Sequence, residues 1–330
     1  MSEIPPLMQV KNLAVSYAAG SRAGRRTHRL RAVRNASFTL QEGRIFGLVG
    51  ESGCGKTTLA KALAGLVEAE SGEVLYRSQP IKGMAQPLRR KTRREVQYIS
   101  QDPAASLSPR RTLWQSLVEP LQLYRIGGRA EHPERITRVL QIVDLNPELL
   151  ARYPHELSGG QQQRVVMARA LLAEPRLIIA DEPLSSLDVS GQARIITLIR
   201  RVQQEFGVAF MLISHDLAVI RQLADCVGVM YLGEMVELSP SHQLFRNPAH
   251  PYTSALLDAS ATALEMPGLP ISLLGGDTPS PLTPPPGCVF HTRCPRVMTQ
   301  CRSTPPAEVA IPAPGKSQTD HLVRCHLWTS

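Results

Sequence analysis

At 330 residues, with 43% hydrophobic and 20% charged side chains, the chain is long enough to bury a sizeable core and has a globular rather than a disordered composition. No apolar run approaches the roughly 18 to 20 residues that a membrane helix needs, and the first residues lack a signal segment, so we expect a cytosolic protein that acts at a membrane only as a peripheral subunit. The formal charge of +9 lies largely in two arginine-rich runs, residues 22–34 and 89–94. It leaves open a solvated surface, an anionic membrane or partner, and phosphate ligands, whereas the lack of a reading helix argues against nucleic acid.

Two stretches near the N-terminus alternate apolar and polar residues, as half-buried strands do. They run from Leu7 to Tyr17 and from Ala32 to Leu40, and they predict a small antiparallel sheet beside the core. Tyr17 stands at the end of the first strand, where its ring could stack on a nucleotide base. A single aromatic residue at a strand end more often packs against its neighbours, and this alternative stays open.

A glycine-rich loop follows, between an apolar run at residues 45–49 and a helix-forming stretch at residues 59–66. Its pattern of Gly, four residues and Gly-Lys-Thr is typical of phosphate-binding loops, in the strand-to-helix setting that they need. Backbone N–H groups and the helix dipole would hold phosphate oxygens, Lys56 would reach the β- and γ-phosphates, and Thr57 would bind Mg²⁺. The residues of this predicted loop are Gly50, Glu51, Ser52, Gly53, Cys54, Gly55, Lys56, Thr57 and Thr58.

The middle of the chain changes from strands to helices. Strands are predicted at residues 72–76 and 95–100, and the stretch 113–153, which begins soon after Gln101, has helical spacing with glycine and proline as punctuation. Ser158 is then well placed to cap a helix, and the two glycines that follow it expose N–H groups at the helix start. The sequence therefore predicts a helical insertion and a second anion site, with an ordinary capped helix as the alternative.

A continuous apolar run at residues 177–180 ends in Asp181 and Glu182, as expected for a buried parallel strand whose functional end is its carboxyl edge. We expect Asp181 to hold Mg²⁺ through water. Glu182, on the other side of the strand, would polarise the water that attacks the γ-phosphate. A helix, a strand that ends at His215 and a hairpin of two strands complete the predicted sheet; they cover residues 190–206, 208–214, 227–231 and 234–238.

Taken in order, these motifs resemble those of the nucleotide-binding subunit of an ABC transporter, over roughly residues 7–260. The resemblance implies an α/β P-loop fold with a RecA-like parallel core, an antiparallel β subdomain and a helical subdomain at about residues 102–165. It implies ATP and Mg²⁺ as ligands, and a head-to-tail pair of nucleotide domains. In such a pair the signature segment of each domain, here residues 157–161, completes the ATP site of the other domain. The residues to which it gives roles are Tyr17 for adenine stacking, Gln101 and Asp181 for Mg²⁺, Ser158, Gly159, Gly160, Gln161 and Asp188 for nucleotide contacts, and Glu182, His215 and Gln101 for catalysis.

A closer resemblance covers the remainder of the chain. Residues 244–253, with the sequence Leu-Phe-Arg-Asn-Pro-Ala-His-Pro-Tyr-Thr, are similar to the C-terminal region of oligopeptide and dipeptide transporter ATPases, and so is the segment after Gln101, apart from Ser100 and Ser108. We therefore interpret residues 1–240 as the ATPase domain and 241–330 as that C-terminal region. The resemblance implies a subunit that powers an importer of di- or oligopeptides. A non-transport ABC ATPase of the repair or translation type, or an importer of a nickel chelate, an opine or glutathione, stays open.

The same resemblance implies partners and a location. The transporter would be completed by a sister ABC ATPase, two transmembrane permease subunits and an extracytoplasmic solute-binding protein. A heterodimer with the sister ATPase is favoured, and a homodimer stays open. The chain would lie on the cytoplasmic face of the plasma membrane.

Four of the six cysteines are crowded into the last fifth of the chain, after a proline-rich stretch for which we expect little regular structure. In a reducing compartment such a group favours a metal over disulfides. Four thiolates suit zinc or an iron–sulfur cluster, although the spacing fits neither common pattern, and free thiols remain the third alternative. The resemblance to dipeptide-transport ATPases favours a [4Fe-4S] cluster, with Zn²⁺ as the alternative, on Cys288, Cys294, Cys301 and Cys325.

Overall fold

The computed structural model describes residues 6–19, 28–185, 187–265, 277–311 and 321–329. Part of the first arginine-rich run, Ser186 in the segment before Asp188, and part of the proline-rich stretch lie outside the described residues. The described residues fall into two compact units. The first unit comprises those within 1–8, 40–45 and 75–214, and the second unit those within 9–39, 46–74 and 215–330.

The elements are numbered in chain order across both units. In the described residues the strands are β1 (Pro6–Ala19), β2 (His28–Gln41), β3 (Ile45–Val49), β4 (Ser71–Tyr76), β5 (Gln79–Pro80), β6 (Val96–Ile99), β7 (Leu177–Asp181), β8 (Ala209–Ile213), β9 (Cys226–Tyr231), β10 (Glu234–Pro240), β11 (Glu308–Ile311) and β12 (His321–Arg324). The helices there are α1 (Lys56–Leu63), α2 (Gln86–Glu95), α3 (Pro103–Ser106), α4 (Leu113–Tyr124), α5 (His132–Ile142), α6 (Gly159–Leu171), α7 (Val189–Phe206), α8 (Leu217–Leu223), α9 (Ser241–Leu244) and α10 (Pro251–Glu265).

The first unit is built on a parallel sheet of β6, β7 and β8. Leu177 of β7 lies beside Val96 of β6 and Ala209 of β8, and every residue of β7 and β8 is buried. Helix α6 packs against β6 and against α3, α4 and α5, and the last two of these helices lie in the stretch 113–153 that has helical spacing. Because the strands are parallel, their carboxyl ends share one edge, and residues that follow β6 and β7 lie close together there.

The second unit carries the strand that leads into the glycine-rich loop. Strand β3 is parallel to β9, with Phe46 beside Cys226, and β1 lies beside β2. Strands β9 and β10 form the predicted antiparallel hairpin, with Glu234 beside Tyr231, which confirms that prediction. None of the helices in the described part of the chain is long and apolar enough to cross a membrane.

Short strands also form near the end of the chain. Strands β11 and β12 form an antiparallel pair, and β12 also adds to β10, with Val323 beside Glu237. Val323 packs in a small apolar cluster with Ala249 and Cys325. These two strands follow the proline-rich stretch, whose described residues 277–287 have no helix or strand. Each strand is only four residues long, and β12 is stabilised by β10, which lies far away in sequence.

Candidate active site

The phosphate loop, residues 50–58, joins β3 to α1 in the second unit. Gly50 and Gly55 have φ angles of 149° and 107°, and a Cβ atom on either would lie 2.1 Å from a backbone oxygen, that of Met230 or of Ala32. Only glycine fits at these two positions. Helix α1 begins without a side-chain cap, so its first N–H groups have the arrangement of an anion-binding helix start.

Lys56 is folded over the phosphate loop. Only 6% of the residue is exposed, and its Nζ donates hydrogen bonds to the backbone oxygens of Gly50 at 2.7 Å and Glu51 at 2.9 Å. Nζ also lies 3.7 Å from the sulfur of Cys54. Burial raises the pKa of the Cys54 thiol, and the Lys56 ammonium only partly offsets this, so Cys54 is a protonated packing residue.

Tyr17 stands beside the same loop. The residue is 38% exposed, and its hydroxyl lies 3.4 Å from the Oγ1 of Thr58. The second unit therefore brings a partly exposed aromatic ring next to the start of α1. His215 also belongs to this unit; it is exposed and follows β8 after Ser214.

In the first unit, Asp181 ends β7 with 2% of its surface exposed. Its Oδ2 accepts a hydrogen bond from the Tyr98 hydroxyl at 3.0 Å, whereas its buried Oδ1 has no hydrogen-bond partner in the described part of the structure. Burial and the nearby carboxylate raise the pKa of Tyr98. A buried carboxylate oxygen without a partner is costly, and it fits the hard oxygen ligand set that Mg²⁺ requires.

Glu182 leaves the strand instead of continuing it. Its φ of 48° lies in the left-handed region, and its N–H donates to the carbonyl oxygen of Ile213 at 3.0 Å. Alternation along a strand predicts that Glu182 lies on the side opposite Asp181. This reason is wrong, because β7 ends at Asp181 and Glu182 is no longer part of the strand. The Glu182 carboxylate accepts a hydrogen bond from Gln101 Nε2 at 2.8 Å, so the structure brings these two predicted residues together.

The predicted signature segment opens α6. Ser158 caps the helix: its Oγ accepts the N–H of Gln161 at 3.3 Å, and the Gln161 side chain accepts the N–H of Ser158 at 2.9 Å. Asp188 caps α7 through the N–H of Gly191 at 2.8 Å. Both caps line one cavity of about 310 Å³, together with residues 159–160. The first unit therefore gathers the signature segment and Asp188 around a single opening at two helix starts.

A buried carboxylate in the second unit was not singled out by the sequence. Glu237 is 1% exposed and accepts hydrogen bonds from the N–H groups of Ala249 at 2.8 Å and His250 at 2.9 Å and from His321 Nε2 at 2.7 Å. His250 Nδ1 in turn accepts the N–H of Tyr252 at 3.0 Å. Burial lowers the pKa of His250 to about 4, which keeps Nδ1 free of a proton and able to accept.

The four clustered cysteines lie in one neighbourhood. They are buried or half-buried, and none forms a disulfide. Burial raises the pKa of Cys288 to about 11, and the three other thiols add to this rise. In the part of the chain that the structure describes, no group of three or more His, Cys, Asp or Glu side chains is arranged to hold a metal ion.

The comparisons with known proteins agree with this architecture. The family described as "ABC transporter" matches residues 33–185, and that described as "Oligopeptide/dipeptide transporter, C-terminal region" matches residues 236–301. Among solved structures, the dimeric ATP-binding cassette MJ0796, in a post-hydrolysis state bound to ADP and Pi, has a TM-score of 0.63 and 26% identity, covering 71% of this chain and 98% of its own. The fold is that of an ABC nucleotide-binding domain, an α/β ATPase.

The relatives are more specific. The chain is 43% identical over 303 residues to the oligopeptide transport ATP-binding protein AppF of Bacillus subtilis, and the match covers 91% of this chain and 90% of that protein. Over 277 residues it is 46% identical to the di/tripeptide transport ATP-binding protein DppF of Pseudomonas aeruginosa, which covers 84% of this chain and 86% of the relative. The chain belongs to the family of ABC transporter ATP-binding proteins that carry the oligopeptide/dipeptide transporter C-terminal region.

Proposed function

We propose that the phosphate loop binds the triphosphate of ATP. The N–H groups of the loop and of the start of α1 hold phosphate oxygens, and Lys56 exchanges its hydrogen bonds to the loop for the β- and γ-phosphates. Thr57 binds Mg²⁺ through its hydroxyl, and Tyr17 stacks on the adenine. The two glycines that admit no side chain, and the uncapped helix start, support this assignment.

For hydrolysis, Asp181 holds Mg²⁺ through water with its unpartnered Oδ1, while Tyr98 fixes the other carboxylate oxygen. Bound Mg²⁺ supplies charge neutralisation for the transferring phosphoryl group. Glu182 accepts a proton from the attacking water, and His215 assists at the γ-phosphate. In the structure Gln101 Nε2 donates a hydrogen bond to the Glu182 carboxylate at 2.8 Å. This hydrogen bond must break before the carboxylate can accept a proton from the attacking water.

Two nucleotide domains act head to tail, so that Ser158, Gly159 and Gly160 serve the ATP held by a second domain. The support is the pair of helix starts around the 310 Å³ cavity, because N–H groups at helix starts favour an anion. Gln161 and Asp188 shape this opening through their caps. A sister ABC ATPase is the second domain in preference to a second copy of this chain.

The transporter that this subunit powers is an importer of di- or oligopeptides. The observation that carries this proposal is the 43–46% identity to proteins named for oligopeptide and di/tripeptide transport, which extends through the ATPase motifs and the C-terminal region alike. The chain then lies on the cytoplasmic face of the plasma membrane, bound to two transmembrane permease subunits that receive solute from an extracytoplasmic binding protein. The ATPase domain ends near residue 240, the helical subdomain covers about residues 102–165, and residues 241–330 form the C-terminal region.

The test is ATP-driven uptake in proteoliposomes that contain the permease subunits, both ATPases and the binding protein. We expect uptake of a labelled di- or oligopeptide to require internal ATP and to be lost with Lys56→Ala in this chain. Uptake of a nickel chelate, an opine or glutathione, with no peptide uptake, would contradict the substrate class. Failure to assemble with any membrane subunit would instead favour the non-transport ABC class.

We also propose that the clustered cysteines hold a structural [4Fe-4S] cluster, with Zn²⁺ as the alternative. Because the described side chains are not arranged to hold a metal ion, they would have to move together when the group binds. The chemistry of the donor set supports it, because four thiols without a disulfide in one neighbourhood are a Cys₄ set of the kind that binds such clusters. The group would bind Cys288, Cys294, Cys301 and Cys325 and would cross-link the C-terminal segment. Anaerobically purified protein should absorb broadly near 400 nm, with about four iron per chain. If the protein is colourless and contains zinc, the Zn²⁺ alternative is correct. If it contains no metal, both the [4Fe-4S] and the Zn²⁺ proposals are contradicted.

A further inference from the structure

The phosphate loop is held from outside by the C-terminal region. Glu51, the second residue of the loop, donates its N–H to the Tyr252 hydroxyl at 2.8 Å. Its carboxylate Oε2 accepts hydrogen bonds from Thr278 Oγ1 at 2.8 Å and from Arg293 Nη1 at 2.9 Å. These three residues, the C-terminal clamp, all belong to the same compact unit as the loop. Each lies more than 200 positions from Glu51 in sequence.

Arg293 is the charged member of the clamp, and its setting is unusually closed for an arginine. Only 6% of its side chain is exposed, against 20% of that of Glu51. Arg293 Nη1, which donates to Glu51, also donates to the Tyr231 hydroxyl at 3.3 Å. The guanidinium also lies 5.9 Å from the centre of the Tyr231 ring. Arg293 is therefore a fixed positive charge against the loop.

An aromatic group carries the clamp. The rings of Tyr231, Tyr252 and Phe290 lie with their centres 4.7–5.4 Å apart, and all three residues are fully buried. The Arg293 N–H donates to the Phe290 carbonyl oxygen at 3.0 Å, which closes a tight turn. Because this turn is anchored in packed aromatic rings, it cannot move away from the loop without opening a buried cluster.

The charge of Glu51 gives the clamp its function. The loop binds a triphosphate, so an unpaired carboxylate at its second residue would repel the negatively charged ligand. The side chain would also no longer hold the backbone of Glu51 in place. An ion pair with a buried guanidinium removes both effects, since screening by water is weak there.

We infer that Arg293 is a positioning residue for nucleotide binding: by neutralising and anchoring Glu51 it allows the C-terminal region to set the affinity of the phosphate loop for ATP. The inference rests on the proposed role of the loop. It predicts that the C-terminal region, residues 241–330, controls ATP binding by the phosphate loop while taking no part in hydrolysis.

The test is a titration of the full chain with a fluorescent ATP analogue and Mg²⁺. Arg293→Gln should weaken binding about tenfold, because a charge-assisted hydrogen bond is lost and a carboxylate beside the phosphates is left unpaired. Arg293→Lys keeps the charge and should lose no more than about threefold. Adding Glu51→Gln to Arg293→Gln should recover most of the loss, since the unpaired charge is then gone. Arg302→Gln is the matched control: Arg302 is exposed in the same segment, and its substitution should leave the affinity of the chain for the ATP analogue unchanged.

Turnover at saturating nucleotide separates positioning from general damage. Arg293→Gln should change it less than about twofold, whereas a misfolded segment would lower both affinity and turnover. Unchanged affinity in Arg293→Gln, or a loss that Glu51→Gln does not recover, would overturn the inference. If Arg293→Gln does not fold, Arg293→Lys and Thr278→Val decide, and parent-like affinity in the valine variant would count against the clamp. Lys56→Ala in the same titration tests the loop itself: normal affinity there would refute the proposed ATP site rather than the clamp.

Discussion

Replacing Tyr98 with phenylalanine removes one hydroxyl from the buried Asp181 carboxylate. That carboxylate has a hydrogen bond on Oδ2 and none on Oδ1 in the described residues, so the variant leaves both oxygens without a protein donor. A hydrogen bond to a charged group contributes about 1.5–3 kcal/mol, and Asp181 is too buried for water to replace it easily. We expect the free energy of unfolding to fall by about 2–3 kcal/mol. Because bound Mg²⁺ would compensate the carboxylate, the deficit should shrink when Mg²⁺ and ATP are added.

The measurement is urea unfolding of parent and variant, with EDTA and then with Mg²⁺ and ATP. Tyr76→Phe is a matched control in the same unit, since the Tyr76 hydroxyl donates to Glu95 at 2.7 Å. The Glu95 side chain is 14% exposed and its Oε1 lies 4.0 Å from Lys91 Nζ, so its carboxylate keeps one positively charged neighbour and some contact with water. The control should lose only about 1 kcal/mol, with no dependence on Mg²⁺. Equal losses in the two variants, or a Tyr98→Phe deficit that ligand does not change, would refute the reasoning.

Three further outcomes follow from the structure. The pKa of His250 is about 4 in the folded chain against about 6.5 when unfolded, so the unfolded state binds more protons between these values. The free energy of unfolding should therefore fall by about 2 kcal/mol from pH 7 to pH 5 in denaturant titrations. His250→Asn, whose amide oxygen can accept the N–H of Tyr252, should remove this loss. Ser158→Arg should leave ATP binding by this chain intact but reduce turnover at least about tenfold, because the large side chain would fill the space that the phosphate of the second domain's ATP needs at the helix start. A parent-like ATPase rate would count against the proposed role of this segment in trans. Cys294→Ser should abolish the absorbance near 400 nm and the bound iron, whereas Cys226→Ser in β9 should keep both. Equal iron contents in the two variants would exclude Cys294 as a ligand of the cluster.

The parts of the site that are local in sequence could be predicted from it. The phosphate loop needs glycine at fixed offsets and a lysine at the helix start, so the pattern carries the geometry, and the structure has Gly50 and Gly55 where only glycine fits. The same holds for the cap of α6 by Ser158 and for the buried strand that ends at Asp181. The ABC family matches agree with the fold read from these motifs.

The parts that depend on distant pairs could not be predicted. Nothing near Tyr98 indicates that its hydroxyl reaches Asp181, because the contact exists only once β6 and β7 are neighbours. Glu51 likewise reads as a variable position of the loop until Arg293, 242 residues later, is seen beside it. The direction of Glu182 was missed for another reason: a positive φ in a non-glycine residue has no marker in sequence.

The most direct test of the account is the steady-state rate of Mg²⁺-dependent ATP hydrolysis by the assembled nucleotide domains with Glu182→Gln in this chain, together with ATP binding by the same variant. Loss of a general base predicts turnover at this site reduced about a hundredfold or more, with ATP affinity close to that of the parent. Turnover equal to that of the parent would contradict the assignment of Glu182 and, with it, the mechanism proposed for this ATPase.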